Sequence, residues 1–162
     1  MPPLDSFAVL RCPSWLGGLT LHVVGAGHRV RRIAFAPNDA PLEPGLRRAD
    51  DAFDDARSQL EAYWRDGAAP LDLPLAWDTG TPKQQAVWRA LTRIPAGQTR
   101  TYGELAADVG SVARAVGQAN GQNPYALVVP CHRVVATQSL GGYFGGRLDL
   151  KRALLRHEGG LL

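Results

Sequence analysis

Residues 102–121, with the sequence YGELAADVGSVARAVGQANG, contain the pattern that decides the fold of the C-terminal half. Apolar residues recur at helical spacing over 102–109 and again over 112–121. A glycine and Ser111 separate the two segments, and Ser111 is the expected cap of the second helix. Two short helices joined by a tight turn predict a helix-turn-helix, a pattern that many other helical pairs share.

The second helix of this pair is expected to have two different sides. One side consists of Val112, Val116 and Ala119, and the other consists of Arg114, Gly117, Gln118 and Gly121. Each glycine destabilises a helix by about 1 kcal/mol relative to alanine, which indicates a close approach of the backbone to a neighbour. In one interpretation that neighbour is a DNA groove. The commoner explanation is tight packing against another helix, or fraying at the C-terminal end of this one.

A further helix precedes the pair. Thr81 is its expected N-cap and Pro82 its first residue, and Pro95 ends the segment. The expected apolar face consists of Val87, Trp88, Leu91 and Ile94.

Residues 126–135, ALVVPCHRVV, place Cys131 inside an apolar segment rich in β-branched residues. Strands are predicted at 128–129 and 134–135, and Pro130 interrupts the pairing immediately before the cysteine. A lone cysteine in such a segment is usually inert core filler.

Two cations follow this thiol directly, namely His132 and Arg133. Nearby positive charge lowers the pKa of a thiol, and the thiolate is the nucleophilic form. Neighbouring side chains on a strand point to opposite faces, so contact between Cys131 and His132 requires a bridging water or the kink at Pro130.

The last predicted helix, at about residues 149–157, raises a second question about charge. Leu150 and Leu154 lie one turn apart, and Glu158 follows on the same side. A carboxylate at a helix C-terminus is opposed by the helix dipole, so it should have a partner, and a histidine is a natural one. The combination of Glu, His and Cys is that of an activated thiol, whereas the alternative is a frayed, solvated glutamate.

The N-terminal half predicts a small sheet with one helix. Residues 19–24 and 30–35 form a hairpin, and 36–45 form a proline-rich loop. A helix is expected over 50–65, and 71–75 is at most a short edge strand because of its proline.

The composition excludes several classes of protein. Of 162 residues, 45% are hydrophobic and 20% are charged, which is typical of a globular chain and not of a disordered one. No apolar run reaches the roughly 18 residues that a membrane span requires, and the N-terminus lacks a secretory signal pattern. Cys12 and Cys131 make no disulfide framework, so a reducing cytoplasm is the expected compartment.

Charge is distributed unevenly along the chain. Residues 79–162 contain ten basic and four acidic side chains and carry a net charge of +6, whereas residues 1–78 carry −3. A basic half suggests a polyanionic partner, although an ordinary solvated surface explains the charge equally well.

The segment NPYALVVPCHRVV (123–135) resembles the active-site signature of the O6-alkylguanine-DNA alkyltransferases, also called methylated-DNA–protein-cysteine methyltransferases. The resemblance covers residues 80–160. Its other segments, in the order of the family, are QQAVWRALTRIPAGQTRTYGELA (84–106), ARAVGQANGQNP (113–124), GGYFGG (141–146) and KRALLRHEGG (151–160).

The resemblance implies direct-reversal DNA repair, in which the alkyl group of O6-alkylguanine in duplex DNA passes irreversibly to Cys131, once per molecule. O4-alkylthymine is a second candidate substrate. His132 takes the thiol proton through a water, and Glu158 orients His132. Tyr102 assists base flipping and donates to guanine N3, and Asn123 braces the turn before the active-site segment.

The family's DNA and substrate contacts also map onto this chain. Arg114 fills the place of the flipped base. The implied DNA-binding set is Arg114, Gly117, Gln118, Asn120, Gly121 and Tyr102, and the implied substrate-binding set is Val134, Tyr143 and Phe144. The carbonyl groups of Cys131 and Val134 are expected to accept from the exocyclic amine of the base.

The predicted fold class is α+β. A ribonuclease-H-like domain of strands and a helix is expected at 1–78, and a winged-helix-like, mainly helical domain at 79–162. No cofactor is expected, and no zinc, since Cys12, His22 and His28 lack a ligand spacing. The protein is expected to act as a cytoplasmic monomer with double-stranded DNA as its partner and no membrane contact. Cooperative binding along DNA is left open.

Two other functions remain as alternatives. One is a damage-binding module that recognises alkylated bases without repairing them, and the presence of Cys131 argues against it. The other is a thiol hydrolase that uses Cys131, His132 and Glu158, which would turn over repeatedly.

Overall fold

The computed structural model describes residues 5–143 and 146–160. Contacts group the chain into two compact units, the first of which extends to Asp78 and includes Pro124–Ala126. The second unit consists of Thr79–Asn123 and the residues from Leu127 onward. Three residues that the sequence assigns to the C-terminal domain therefore lie with the N-terminal unit.

A four-stranded sheet forms the first unit, in the order β3-β2-β1-β4. The strands are β1 (Ser6–Arg11), β2 (Leu19–Ala26), β3 (Arg29–Pro37) and β4 (Arg47–Arg48). Antiparallel pairing of β2 with β3 confirms the predicted hairpin. Sequence analysis missed β1, which pairs antiparallel with β2 and parallel with β4. Its run of apolar residues lacks the alternation that identifies a half-exposed strand.

One helix completes this unit. A short 3-10 turn, Asp50–Phe53, leads into α1 (Asp54–Arg65), and together they match the helix predicted over 50–65. The residues buried along this segment are Phe53, Ala56, Leu60 and Tyr63. The predicted edge strand at 71–75 is reduced to one parallel bridge between Leu75 and Val30, since the proline before Leu75 has no N–H to donate.

The second unit is mainly helical. Its helices are α2 (Pro82–Leu91), α3 (Tyr102–Val109), α4 (Ala113–Gly121) and α5 (Leu148–His157). Two short strands, β5 (Arg100–Thr101) and β6 (Val134–Val135), pair in parallel. The predicted start of α2 is confirmed, because Thr81 accepts from the backbone N–H of Gln84 while the Gln84 side chain accepts from that of Thr81.

The predicted pair of short helices is also confirmed. Gly110 ends α3 with a φ of +65°, a left-handed conformation that glycine adopts without steric cost, and α4 begins three residues later. Trp88 of α2 donates from its indole N–H to the carbonyl of Ala119 at 2.8 Å, which fixes α2 against α4.

Two predictions about α4 are wrong. Ser111 is not the cap, because the helix begins at Ala113 and Val112 flanks it without a side-chain hydrogen bond. Val112 is 66% exposed and does not belong to the core. Its extended backbone lies outside the helix, so the helical spacing that grouped it with Val116 and Ala119 does not apply.

The strand predicted at 128–129 is wrong as well. These residues lie in an irregular turn in which Leu127 has a φ of +70°. The carbonyl of Val129 accepts from the side chain of Asn123 and from the backbone N–H of Cys131, so its hydrogen bonds are local. A β-rich composition therefore produces a loop here, because Pro130 has no N–H for a ladder.

Candidate active site

Cys131 lies in a 3-10 turn and not on a strand. The turn spans Cys131–Arg133, and the backbone N–H of Arg133 donates to the carbonyl of Pro130 at 3.0 Å. Cys131 is 8% exposed and His132 is completely buried. The turn replaces the pleat of a strand, so two neighbouring side chains are buried together within the second unit.

A histidine–carboxylate pair adjoins the cysteine. Nε2 of His132 lies 2.5 Å from Oε1 of Glu158, and neither side chain is exposed. Glu158 directly follows α5 and continues the buried stripe of Leu150 and Leu154. Glu158, which was predicted to need a partner, therefore contacts His132, the histidine that was predicted to be that partner.

Arg133 is a second partner of this carboxylate. The sequence identified Arg133 only as a cation close to Cys131. Its Nε donates to Oε2 of Glu158 at 2.8 Å, and its Nη1 donates to the carbonyl of Ile94 at 2.6 Å. Burial alone would raise the pKa of Glu158, but the hydrogen bonds and charges of His132 and Arg133 lower that pKa to about 2. Glu158 is therefore ionised at neutral pH.

The charge state of His132 follows from its surroundings. Burial lowers the pKa of His132, while the hydrogen bond to Glu158 opposes that shift. A neutral imidazole that donates from Nε2 keeps Nδ1 as an acceptor. This Nδ1 is buried and makes no hydrogen bond to any residue within 5–143 or 146–160. The arrangement supplies a neutral base.

The Cys131 thiol experiences opposing influences. Burial raises its pKa, whereas hydrogen bonding by Asn123, the charge of Lys151 and hydrogen bonding by Tyr143 lower it. Asn123 also donates from Nδ2 to the carbonyl of Val129 at 2.7 Å, which connects the residues after α4 to the turn that carries the cysteine.

Lys151 is a candidate functional residue that sequence reasoning missed. It is completely buried, and its Nζ donates to the carbonyl oxygens of Val134 at 2.5 Å and Gly142 at 2.9 Å. Burial lowers the pKa of Lys151 to about 8, and the nearby Cys131 opposes that shift. Lys151 lies one helical turn before the buried Leu155, a spacing that could have revealed it.

Tyr102, the first residue of α3, lies beside the same loop. Its Oη donates to the carbonyl of Gly142 at 3.4 Å, and burial raises its pKa. A Cβ atom at Gly141, where φ is +71°, would lie 2.8 Å from the Tyr102 ring. Only glycine therefore fits the loop at this point.

The residues predicted to contact the substrate are Val134, Tyr143 and Phe144. Val134 and Tyr143 are buried in the second unit, whereas Phe144 lies outside the described residues. The carbonyl of Val134 accepts from Lys151, and the carbonyl of Cys131 accepts from Asn120. The carbonyl of Cys131 also accepts from the backbone N–H of Val134, so both of its lone pairs already have a donor.

Most residues predicted to contact DNA lie on the surface of α4. Three of them are exposed, namely Arg114, Gln118 and Gly121. Gly117 is half-buried, and a Cβ atom there would lie 3.9 Å from the Tyr102 ring. The expected contrast between the two sides of α4 therefore holds from Arg114 onward.

The structure corrects the prediction that Asn120 belongs to the DNA-binding surface of α4. Asn120 is only 5% exposed, because it lies four residues after the buried Val116 and therefore on the inner side of α4. Its Nδ2 donates to the carbonyl of Cys131 at 3.2 Å. Asn120 thus belongs to the surroundings of the cysteine and not to the exposed face.

The part of the chain that the structure describes contains no group of three His, Cys, Asp or Glu side chains arranged to hold a metal ion. None of its helices is long and apolar enough to cross a membrane.

Burial raises the pKa of the other cysteine, Cys12, to about 12, so its thiol is protonated at neutral pH.

Comparison with known proteins identifies the family. Residues 82–160 match the family model described as the DNA binding domain of 6-O-methylguanine DNA methyltransferase. A relative from Methanosarcina acetivorans, named methylated-DNA–protein-cysteine methyltransferase, is 49% identical over 113 residues, which are 68% of this chain and 71% of that protein. The chain belongs to the methylated-DNA–protein-cysteine methyltransferase family.

Solved structures of this family extend the similarity to both units. A crystal structure of the Mycobacterium tuberculosis O6-methylguanine methyltransferase superposes with a TM-score of 0.82 at 38% identity, covering 98% of this chain and 95% of that one. A second structure, of Mycobacterium tuberculosis OGT in complex with DNA, has a TM-score of 0.81 at 38% identity and covers 95% and 92%. The α+β architecture is therefore that of the methyltransferase family.

Replacement of Glu158 by Gln is expected to lower the free energy of unfolding by about 3 kcal/mol at pH 7, because it removes the buried charge that pairs with the partly buried Arg133. The pKa of Glu158 is about 2 in the folded protein and about 4.3 for an ordinary glutamate. Ionisation of Glu158 therefore stabilises the fold above pH about 4.3, and this contribution is lost as the pH falls toward 2.

Urea unfolding of both proteins between pH 3 and pH 7 measures this difference. The matched control is Asp149→Asn, which removes an exposed carboxylate from α5 and should change stability little. A stability difference between wild type and Glu158→Gln that stays constant across this pH range contradicts the lowered pKa of Glu158.

Proposed function

We propose that this protein repairs O6-alkylguanine in duplex DNA by transferring the alkyl group to Sγ of Cys131. The observation that carries the proposal is the buried thiol beside a neutral imidazole whose other nitrogen contacts an ionised carboxylate. The name of the Methanosarcina acetivorans relative supports the reaction, and the DNA complex of the Mycobacterium tuberculosis protein supports the partner.

The transfer begins with activation of the thiol. A water carries the proton of Cys131 to Nδ1 of His132, and Glu158 stabilises the imidazolium that forms. The thiolate then attacks the alkyl carbon, a step that suits a soft nucleophile, and the carbon–O6 bond breaks as the sulfur–carbon bond forms.

The leaving guanine acquires negative charge and requires a proton. Tyr102 donates from Oη to guanine N3, and the proton held by His132 returns through solvent to Tyr102, so that protons balance over the reaction. The thioether on Cys131 is uncharged and has no leaving path, so each molecule reacts once.

Access to the base requires that it leave the duplex. The exposed face of α4 enters the minor groove, where Arg114 takes the place of the flipped nucleotide. Gly117, Gln118 and Gly121 allow close approach of the helix backbone to the DNA. The carbonyl groups of Cys131 and Val134 accept from the exocyclic amine of guanine, and Tyr143 lines the pocket.

The finer description of the fold and its setting is part of the same proposal. Residues 1–78 form a ribonuclease-H-like domain, and residues 79–162 form a winged-helix-like domain that carries the reaction. The protein acts as a cytoplasmic monomer without a cofactor, and O4-alkylthymine is a second substrate to be tested.

Replacement of Cys131 by Ala is expected to abolish methyl transfer and to preserve DNA binding, because the nucleophile is removed and the exposed face of α4 is untouched. The measurement pairs a single-turnover transfer assay on an O6-methylguanine duplex with a binding titration at several salt concentrations. Cys12→Ser is the matched control and should transfer normally. Transfer by the Cys131→Ala protein would disprove the assignment of the nucleophile.

Replacement of Arg114 by Ala is expected to slow transfer from duplex DNA by about tenfold to a hundredfold, because base flipping costs a few kcal/mol that the arginine offsets. Transfer from free O6-methylguanine base should be unchanged, since a free base needs no flipping. Arg114→Lys keeps the charge and separates electrostatic attraction from insertion. An equal loss of rate on free base and duplex argues against insertion.

A further inference from the structure

The ammonium group of Lys151 is buried and interacts electrostatically with the Cys131 thiol. It reaches across from α5 to β6, where it donates to the carbonyl of Val134, and to the loop after β6, where it donates to Gly142. Its Nζ also lies 5.9 Å from the centre of the Tyr102 ring, a favourable distance for a cation above an aromatic face. Two of these neighbours, Val134 and Tyr102, thus belong to the proposed site.

No carboxylate pairs with Lys151 among the residues that the structure describes. The carboxylate of Glu158 is instead paired with His132 and Arg133. A buried cation without an anionic partner is costly, and its two carbonyl hydrogen bonds compensate that cost only in part. The site therefore contains one uncompensated positive charge.

We infer that Lys151 is a positioning residue that stabilises the negative charge of the Cys131 thiolate and holds the carbonyl groups of Val134 and Gly142 in place. The inference rests on the proposed function, in which Cys131 must lose its proton before it attacks. The proton passes to His132, so ionisation creates a thiolate near Lys151 and an imidazolium against Glu158. Each new charge then has an opposite charge as a buried neighbour.

The hydrogen bonds to the Gly142 carbonyl give Lys151 a second role, which is to hold the loop in place. This carbonyl accepts from Tyr102 at 3.4 Å and from Lys151 at 2.9 Å. When Tyr102 turns its hydroxyl toward the flipped base, Lys151 still satisfies the carbonyl, so the loop does not have to move. Lys151 thereby frees the phenol to act as a proton donor.

The titratable groups around the thiolate and the ammonium group are Cys131 and His132 on the 3-10 turn, Tyr102 on α3 and Tyr143 on the loop. The pKa of Lys151 is lowered to about 8, so Lys151 loses its positive charge as the pH rises through 8. Its electrostatic stabilisation of the thiolate declines over the same range. Replacement of Lys151 by Met should therefore matter most below pH 8.

Lys151→Met is expected to raise the pKa of the Cys131 thiol by about one unit or more, which lowers the thiolate fraction about tenfold at pH 7. A more basic thiolate is also more nucleophilic, so transfer should slow by only about threefold for each unit. Above pH 9 the variant should match or exceed the wild type. The pH profiles of the two proteins should therefore converge or cross.

The experiment measures two quantities from pH 6 to pH 10. One is the single-turnover transfer rate with O6-methylguanine duplex at saturation, and the other is the alkylation rate of Cys131 by iodoacetamide in a Cys12→Ser background. Arg152→Met, which removes an exposed cation from the same helix, is the matched control and should leave both profiles unchanged. Lys151→Arg retains the charge and should keep the thiol pKa closer to that of the wild type than Lys151→Met does.

The outcomes separate this inference from the proposed function. An unchanged thiol pKa in Lys151→Met, or a rate reduced by the same factor at every pH, overturns the role of Lys151 and leaves methyl transfer intact. A wild-type protein that transfers no methyl group overturns the proposed function. The iodoacetamide profile still decides in that case whether Lys151 stabilises the thiolate.

Discussion

The ionised carboxylate of Glu158, buried between His132 and Arg133, is the interaction on which the site depends. Burying a charge without partners costs several kcal/mol, so the carboxylate is tolerated only because His132 and Arg133 both donate to it. Arg133 also donates to the carbonyl of Ile94. These bonds connect the end of α5, the turn that carries Cys131 and the segment after α2, and thereby fix where the thiol lies.

A second consequence concerns how charge moves during the proposed reaction. At rest the thiol and the imidazole are neutral, since burial raises the pKa of Cys131 and lowers that of His132. In the proposed mechanism, proton transfer between them creates an ion pair inside the protein, which is unfavourable unless the surroundings already carry compensating charge. Glu158 and Lys151 supply that charge in advance.

Local signals in the sequence were sufficient for much of this fold. The capping residue Thr81 placed the start of α2, and a carboxylate on the apolar stripe at a helix C-terminus indicated that Glu158 needed a partner. Features that depend on tertiary contacts could not be predicted from the sequence. The residues at 128–129 have strand composition but lie in a turn. Helical spacing indicates that Lys151 and Asn120 lie on buried faces, but the carbonyl groups that accept from their side chains are distant in sequence.

The central claim is that Cys131 itself receives the alkyl group, and peptide mass after mixing equimolar protein with a duplex that carries one O6-methylguanine tests it most directly. The account predicts one added methyl group on the peptide that contains Cys131, an equal loss from the DNA, and no repair of a second portion of duplex. Continued turnover without a gain of mass would indicate a thiol hydrolase. Tight binding without a gain of mass would indicate a damage-binding module, and either result contradicts the account.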